Sequence, residues 1–134
     1  MNAKILFYAS RPEKFPTEIT CINSFSYSNA CTFLPVYNGT YLSDYMQNSE
    51  KNEMIAILTA TSEEEMTDLV LMKDLFDTIP IILIISDESD SMVHKAHKLR
   101  PRFLATFDDD FNSILSVVEN LVKDLQQKQL LSRV

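Results

Sequence analysis

Two stretches, Met54-Ile-Ala-Ile-Leu-Thr59 and Ile79-Pro-Ile-Ile-Leu-Ile-Ile85, decide the fold. Both are short, rich in β-branched residues, and apolar without alternation. A strand with one wet face alternates. An unbroken run belongs to a central parallel strand covered by helices on both faces. Three further runs lie outward from these two: Lys4-Ile-Leu-Phe-Tyr-Ala9, Thr32-Phe-Leu-Pro-Val36 and Arg102-Phe-Leu-Ala-Thr106. Pro35 cannot donate to a ladder, which places the second run at an edge.

Helical patterns separate the strands. From Ser62 to Phe76, Ser62 stands at the N-cap and Glu65 at the capping-box position, with acidic residues filling the first turn. Met66, Leu69, Val70, Lys73 and Phe76 then fall near one face, with Lys73 as the lapse. A short helix over Ser91–Leu99 stops before Pro101. Asp109 or Asp110 caps the last helix, where Phe111, Ile114, Leu115, Val118, Leu121, Val122 and Leu125 make a stripe at helical spacing. Helices are also expected over Pro16–Ser28 and Tyr41–Ser49.

Five strand–helix repeats predict an α/β fold: a three-layer (βα)5 sandwich of flavodoxin-like type, with a parallel five-stranded sheet of order 2-1-3-4-5. The domain spans residues 1–125, and 126–134 extend the last helix or begin a linker. In such folds ligands and chemistry gather outside the C-terminal ends of the strands. Those ends are Ala9 and Ser10, Thr59 and Ala60, Ser86 and Asp87, and Thr106 and Phe107.

Composition narrows the function. The chain has 134 residues, 46% of them hydrophobic, which suits one globular domain. Twelve Lys and Arg stand against 19 Asp and Glu, a net charge of −7, so no direct nucleic-acid partner is expected. The single glycine, Gly39, excludes a glycine-rich phosphate cradle. Two cysteines make neither a disulfide framework nor a zinc knuckle. The apolar run Ile79–Ile85 is far shorter than the roughly 20 residues of a membrane span. With no signal-peptide pattern at the start, the expected setting is the cytoplasm, away from membranes.

The chain resembles response-regulator receiver (CheY-like) domains. Ile79-Pro-Ile-Ile-Leu-Ile-Ile-Ser86 is similar to their fourth strand. A short helix, the strand Phe103–Thr106 and an amphipathic last helix follow at the family's spacing, and Lys4-Ile-Leu-Phe-Tyr8 is similar to their first strand. The resemblance implies a phosphorylation pocket, and this sequence departs from it at each part. Ala9 and Ser10 stand where an acidic pair holds Mg²⁺. Thr59 replaces the phospho-accepting Asp, and Thr106 followed by Phe107 replaces the Lys-Pro pair. Ser86 lies near the switch hydroxyl position, although counting from Pro80 puts Ile85 there, and Phe103 fills the aromatic switch position. Phosphoryl transfer to a carboxylate needs the nucleophile, the metal and the cation together. The pocket is therefore read as degenerate, with no catalytic residue, metal or cofactor. Arg100-Pro-Arg-Phe-Leu-Ala-Thr-Phe107 is also similar to the receiver-like N-terminal domains of flagellar master transcription regulators, which implies an attached ATPase core and DNA-binding domain.

Other chemistry-bearing groups have plainer readings. Asp108–Asp110, Asp87–Asp90 and Glu63–Glu65 sit where loops and helix starts need caps and acidic first turns. His94 and His97 are neighbours on a helix, too few for a zinc site. Cys21 and Cys31 read as buried or half-buried thiols, and the Tyr27–Tyr45 group as edge packing. Asn38-Gly39-Thr40 reads as a turn.

On the fourth helix, fifth strand and fifth helix, apolar positions outnumber what one sheet face needs. Met92, Val93, Ala96, Leu99, Leu115, Val118 and Val122, ringed by charges, are expected to form a homodimer or partner face. The expected function is a non-catalytic regulatory domain of a transcription regulator, acting by protein contact and not by aspartyl phosphorylation. The alternatives are a ligand- or cation-sensing domain with an acidic rim, or a small enzyme using Thr59, Thr61 or Ser86 with Glu63 and Asp87.

Overall fold

The computed structural model describes residues 3–49 and 53–132, with the last four as backbone only. Five parallel strands, β1 (Lys4–Tyr8), β2 (Thr32–Val36), β3 (Met54–Ala60), β4 (Ile81–Ile85) and β5 (Phe103–Thr106), form one sheet of order β2-β1-β3-β4-β5. All seven residues of β3 and all five of β4 are buried, as a doubly covered strand requires. Helices α1 (Pro16–Ser28), α2 (Gly39–Asn48), α3 (Glu63–Leu71), α4 (Asp90–Lys98) and α5 (Phe111–Ser132) supply the cover.

The sheet separates two apolar layers. Ile5, Phe7, Ile55, Ile57 and Ile82 face a cluster that includes Ile22 of α1 and Ile114, Val118 and Val122 of α5. Leu6, Ala56, Leu58, Leu83 and Ile85 face the other, with Leu42 and Met46 of α2, Met66 and Leu69 of α3, and Met92 and Ala96 of α4. The two-residue strand period sends adjacent residues to opposite layers, so one run feeds both cores.

Several boundaries differ from the sequence expectation. Helix α2 starts at Gly39 rather than Tyr41, because the Asn38 side chain accepts the Tyr41 amide at 3.1 Å. The helix expected to reach Phe76 ends at Leu71, and a 3₁₀ turn over Lys73–Phe76 follows. That tighter turn swings Phe76 into the core, where it is 2% exposed. Strand β4 begins at Ile81, since the Ile79 amide closes the preceding turn onto the Phe76 carbonyl. Helix α4 is capped by Ser89, so it starts at Asp90 and ends at Lys98, one residue before Leu99. Asp110 caps α5 by accepting the Asn112 amide at 3.0 Å, while Asp109 turns back to the Thr106 amide at 2.8 Å. Helix α5 runs unbroken to Ser132, and residues 133–134, the end of the segment expected as an extension or linker, lie outside the described residues.

At the sheet margin, Thr32 donates its amide to Ala3 and Val36 offers its carbonyl to Ala9. Peptide groups alternate along a strand, so Thr32, Leu34 and Val36 face β1 while Phe33 and Pro35 face outward. Among the described residues, three non-glycine residues have positive φ: Ala30 (55°), Glu53 (67°) and Arg100 (52°). Each stands shortly before a strand, at the corner where the chain re-enters the sheet.

Candidate functional site

The C-terminal ends of β1 and β3 lie side by side, and Tyr8 pairs in register with Leu58. Ala9 and Thr59 are fully buried there. The Thr59 hydroxyl donates to the Tyr8 carbonyl at 2.9 Å, across the seam between the two strands. A buried hydroxyl must find an acceptor, and this one finds it in the backbone, not in the crevice above.

A carboxylate the sequence reading assigned only to helix capping occupies that crevice. Glu65, in the first turn of α3, accepts the Ser10 hydroxyl at 2.7 Å and the Thr61 amide at 3.1 Å on one oxygen. Its other oxygen accepts the Thr61 hydroxyl. Ser62 does cap the Glu65 amide at 3.2 Å, so half of the capping box is present. The returning carboxylate reaches Thr61 and Ser10 instead of Ser62, because Ser10 at the end of β1 offers a second donor. Burial pushes the Glu65 carboxyl up, but the bonds from Thr61 and Ser10 and the nearby Arg11 charge hold it below the usual carboxylate range. Tyr8 titrates higher than an ordinary phenol, through burial first and then the Glu65 and Asp68 carboxylates. Its hydroxyl lies beside the start of α2, 3.5 Å from where a Gly39 side chain would begin.

The remaining strand ends are tied to their own loops. The Ser86 hydroxyl lies 3.4 Å from the Asp87 carboxylate, whose other oxygen accepts the Ser89 amide at 2.9 Å. These donors, led by the Ser89 amide, hold Asp87 below its ordinary pKa. Thr106 is fixed through its amide to Asp109. Phe107, next in the chain, packs edge-on against Phe15 with ring centroids 5.0 Å apart, and Phe15 meets Phe7 at 6.3 Å. Thus Ser10, Thr61 and Glu65 converge just beyond the C-terminal ends of β1 and β3, whereas Ser86 and Thr106 bond to neighbouring carboxylates. Among the described residues no group of three or more His, Cys, Asp or Glu is placed to hold a metal ion.

Removing the Glu65 charge tests the crevice. Its folded pKa lies below the unfolded value, so it contributes stability above about pH 4.3 that is lost as pH falls through the folded pKa. Glu65→Gln is expected to cost about 1–2 kcal/mol near neutrality. In urea unfolding, the gap from wild type should narrow as pH falls below the ordinary carboxylate range and Glu65 takes up a proton.

Beside this crevice a polar network joins α3 to α4. The Lys95 ammonium lies 3.0 Å from Glu63 and donates to the Thr67 hydroxyl at 2.9 Å, while the Ser91 hydroxyl donates to Glu63. The Ser91 and Lys95 bonds hold Glu63 below its usual pKa.

The expected partner face is corrected in part. Met92, Ala96 and Leu99 are buried in one core layer, and Val118 and Val122 in the other. Each helix has one apolar stripe, and the sheet takes it, so these five are not surface residues. Val93 and Leu115 are half-buried at the margin of the same elements. His94 and His97 are exposed, Cys21 and Cys31 are half-buried free thiols, and Tyr41 stacks on Tyr45 at 6.4 Å. At the opposite end of the sheet, a cavity of about 240 Å³ is lined by Lys73, Asp74, Asp77, Lys98 and Arg100 over Phe76, Ile79 and Leu99. No described helix is long and apolar enough to cross a membrane.

Solved structures share this fold. A CheY-like response regulator from Mesorhizobium loti superposes with a TM-score of 0.71 at 12% identity, covering 89% of this chain and 98% of that one. A CheY-like receiver domain from Methanospirillum hungatei JF-1 gives 0.70 at 9% identity, over 96% and 99%. A response regulator from Thermotoga maritima gives 0.65 at 7% identity, over 92% and 99%. No protein-family model and no curated protein matches the sequence. The chain therefore has the receiver fold, and at these identities the likeness concerns the fold.

Proposed function

We propose that this chain is a receiver-like regulatory module that works through protein contact and is not switched by aspartyl phosphorylation. The fold supports a regulatory role. The observation that carries the rest is Thr59: a fully buried hydroxyl bonded to the Tyr8 carbonyl at the end of β3. A phospho-accepting group must be reachable and paired with metal and cation. Here the Glu65 carboxylate, in the first turn of α3, accepts three bonds from Ser10 and Thr61. We read α5 as the output arm toward attached effector domains of a transcription regulator. The segment Arg100–Phe107 supports this by its resemblance to flagellar regulators.

The test is direct. Incubated with Mg²⁺ and acetyl phosphate, the chain is expected to keep its intact mass, while a receiver with a complete acidic pocket gains a phosphoryl group. A stable adduct mapping to a carboxylate at the strand ends would overturn the proposal.

A further inference from the structure

Two segments of different charge line the cavity of about 240 Å³ beside the start of β4. The 3₁₀ turn and the residue after it bring Lys73, Asp74 and Asp77. The end of α4 brings Lys98 and Arg100. Under these exposed side chains the floor is apolar and almost fully buried, formed by Phe76, Ile79 and Leu99. Both carboxylates come from the 3₁₀ side, and the α4 side is purely basic, so the cavity is polar from one side to the other. Three cations against two carboxylates leave one positive charge in excess.

These charges do not close on one another. The ion pairs among the described residues are Lys95 with Glu63 and Lys123 with Glu119, so neither Asp74 nor Asp77 is paired with a cation of the cavity. Backbone bonds hold both segments in place. The Ile79 amide donates to the Phe76 carbonyl at 3.0 Å, and the Arg100 amide to the His97 carbonyl at 3.1 Å. Arg100 has a φ of 52°, at the position past a helix end where glycine or asparagine is usual. A side chain costs more there than glycine does. What the arginine adds is a guanidinium at the rim of the cavity.

We infer that this cavity binds a small zwitterion with one amine and two acid groups, of which a dicarboxylic amino acid is the simplest. Asp74 and Asp77 suit the ammonium. Lys98 and Arg100 suit a carboxylate, which a guanidinium takes through two parallel bonds. Lys73 answers the second acid group, and the ligand's single net negative charge offsets the excess positive one. The buried floor takes its methylenes. Sites for drug-sized molecules run to roughly 300–1,000 Å³, so this smaller cavity suits a compact metabolite and not a nucleotide. The inference goes beyond the contact-driven reading and does not depend on it, because the cavity lies at the other end of the sheet from the Glu65 crevice.

Titrating the isotope-labelled chain with L-glutamate, followed by amide NMR, tests it. Ionic strength is held constant so that general screening does not change. Resonances of residues 73–79 and 98–100 are expected to shift and saturate, while those of Ser10 and Thr61 stay in place. Glutarate lacks the amine and γ-aminobutyrate lacks the α-carboxylate. Each should bind about tenfold more weakly or worse, the cost of one lost charge-assisted hydrogen bond. The D74N/D77N variant should lose its preference for glutamate over glutarate. Arg100→Gly should bind glutamate about tenfold more weakly yet melt no lower than wild type, because glycine suits that φ. No saturating shift at these residues up to about 50 mM glutamate overturns the inference. Glutarate binding wild type as tightly as glutamate overturns it too. If D74N/D77N lowers the melting temperature and glutamate moves no resonance, the two sides serve each other as a surface ion pair and the inference falls. A phosphoryl adduct at the strand ends would overturn the reading of the crevice and leave this one standing.

Discussion

Replacing Thr59 by aspartate is expected to cost about 3 kcal/mol or more and to leave the protein unphosphorylated. The substitution restores the residue type a receiver uses at the end of β3, but not its surroundings. Thr59 is fully buried, and its hydroxyl bonds to the Tyr8 carbonyl at 2.9 Å. A carboxylate there loses that donor, faces the same carbonyl, and has Thr106 where a receiver would place its lysine. Desolvation raises the pKa of the introduced group above its unfolded value. Relative to wild type, the penalty is then smallest at about pH 4 and grows as pH rises through neutrality. Urea unfolding at the two pH values reads this slope. Thr59→Val, which removes only the hydroxyl, should cost about 1 kcal/mol with no such slope. A Thr59→Asp protein that is as stable as wild type, or gains a phosphoryl group with Mg²⁺, would show that the crevice keeps more of a metal and cation seat than its side chains suggest.

The second large effect is Phe15→Ala, expected to cost about 3–4 kcal/mol. Phe15 is 3% exposed and sits at the N-cap of α1 without a side-chain cap, so packing holds that corner. Its ring lies edge-on between Phe7 of β1 and Phe107 after β5. Truncation opens a cavity beside β1 and also frees the β5–α5 loop, because Phe107 loses its ring partner. Amide exchange should therefore speed up in both the β1–α1 and β5–α5 loops, which lie far apart in sequence. Phe107→Ala should cost less, about 1–2 kcal/mol, since that ring is already 36% exposed.

Much of the fold was legible because its main signals are local. The unbroken runs of β3 and β4 needed two covered faces, and Pro35 needed an edge. Ser62 stood where a cap belongs, and the pair Asp109 and Asp110 held the other cap without saying which of the two it was. Other features depend on tertiary neighbours. The break after Leu71 arises because Phe76 must turn into the core, and periodicity alone ran the helix on through it. Glu65 looked like half of a capping box, since nothing in residues 61–65 reveals that Ser10 arrives beside them from β1. The misread face of α4 has the same origin. Met92, Ala96 and Leu99 at i, i+4 and i+7 form a stripe that serves a sheet or a partner equally well in one dimension. Three dimensions assign it to the sheet and leave the charges to the surface.

The outward-facing Pro35 of β2 has a consequence for how this molecule behaves in a crowded cell. Every open sheet offers two rims of unsatisfied peptide groups, and those rims are where fibrils begin to grow. On one rim Pro35 removes a donor, and on the other β5 extends for only four residues. Neither rim templates an endless stack, so any contact this protein makes along its flanks is steered toward closed assemblies of limited size.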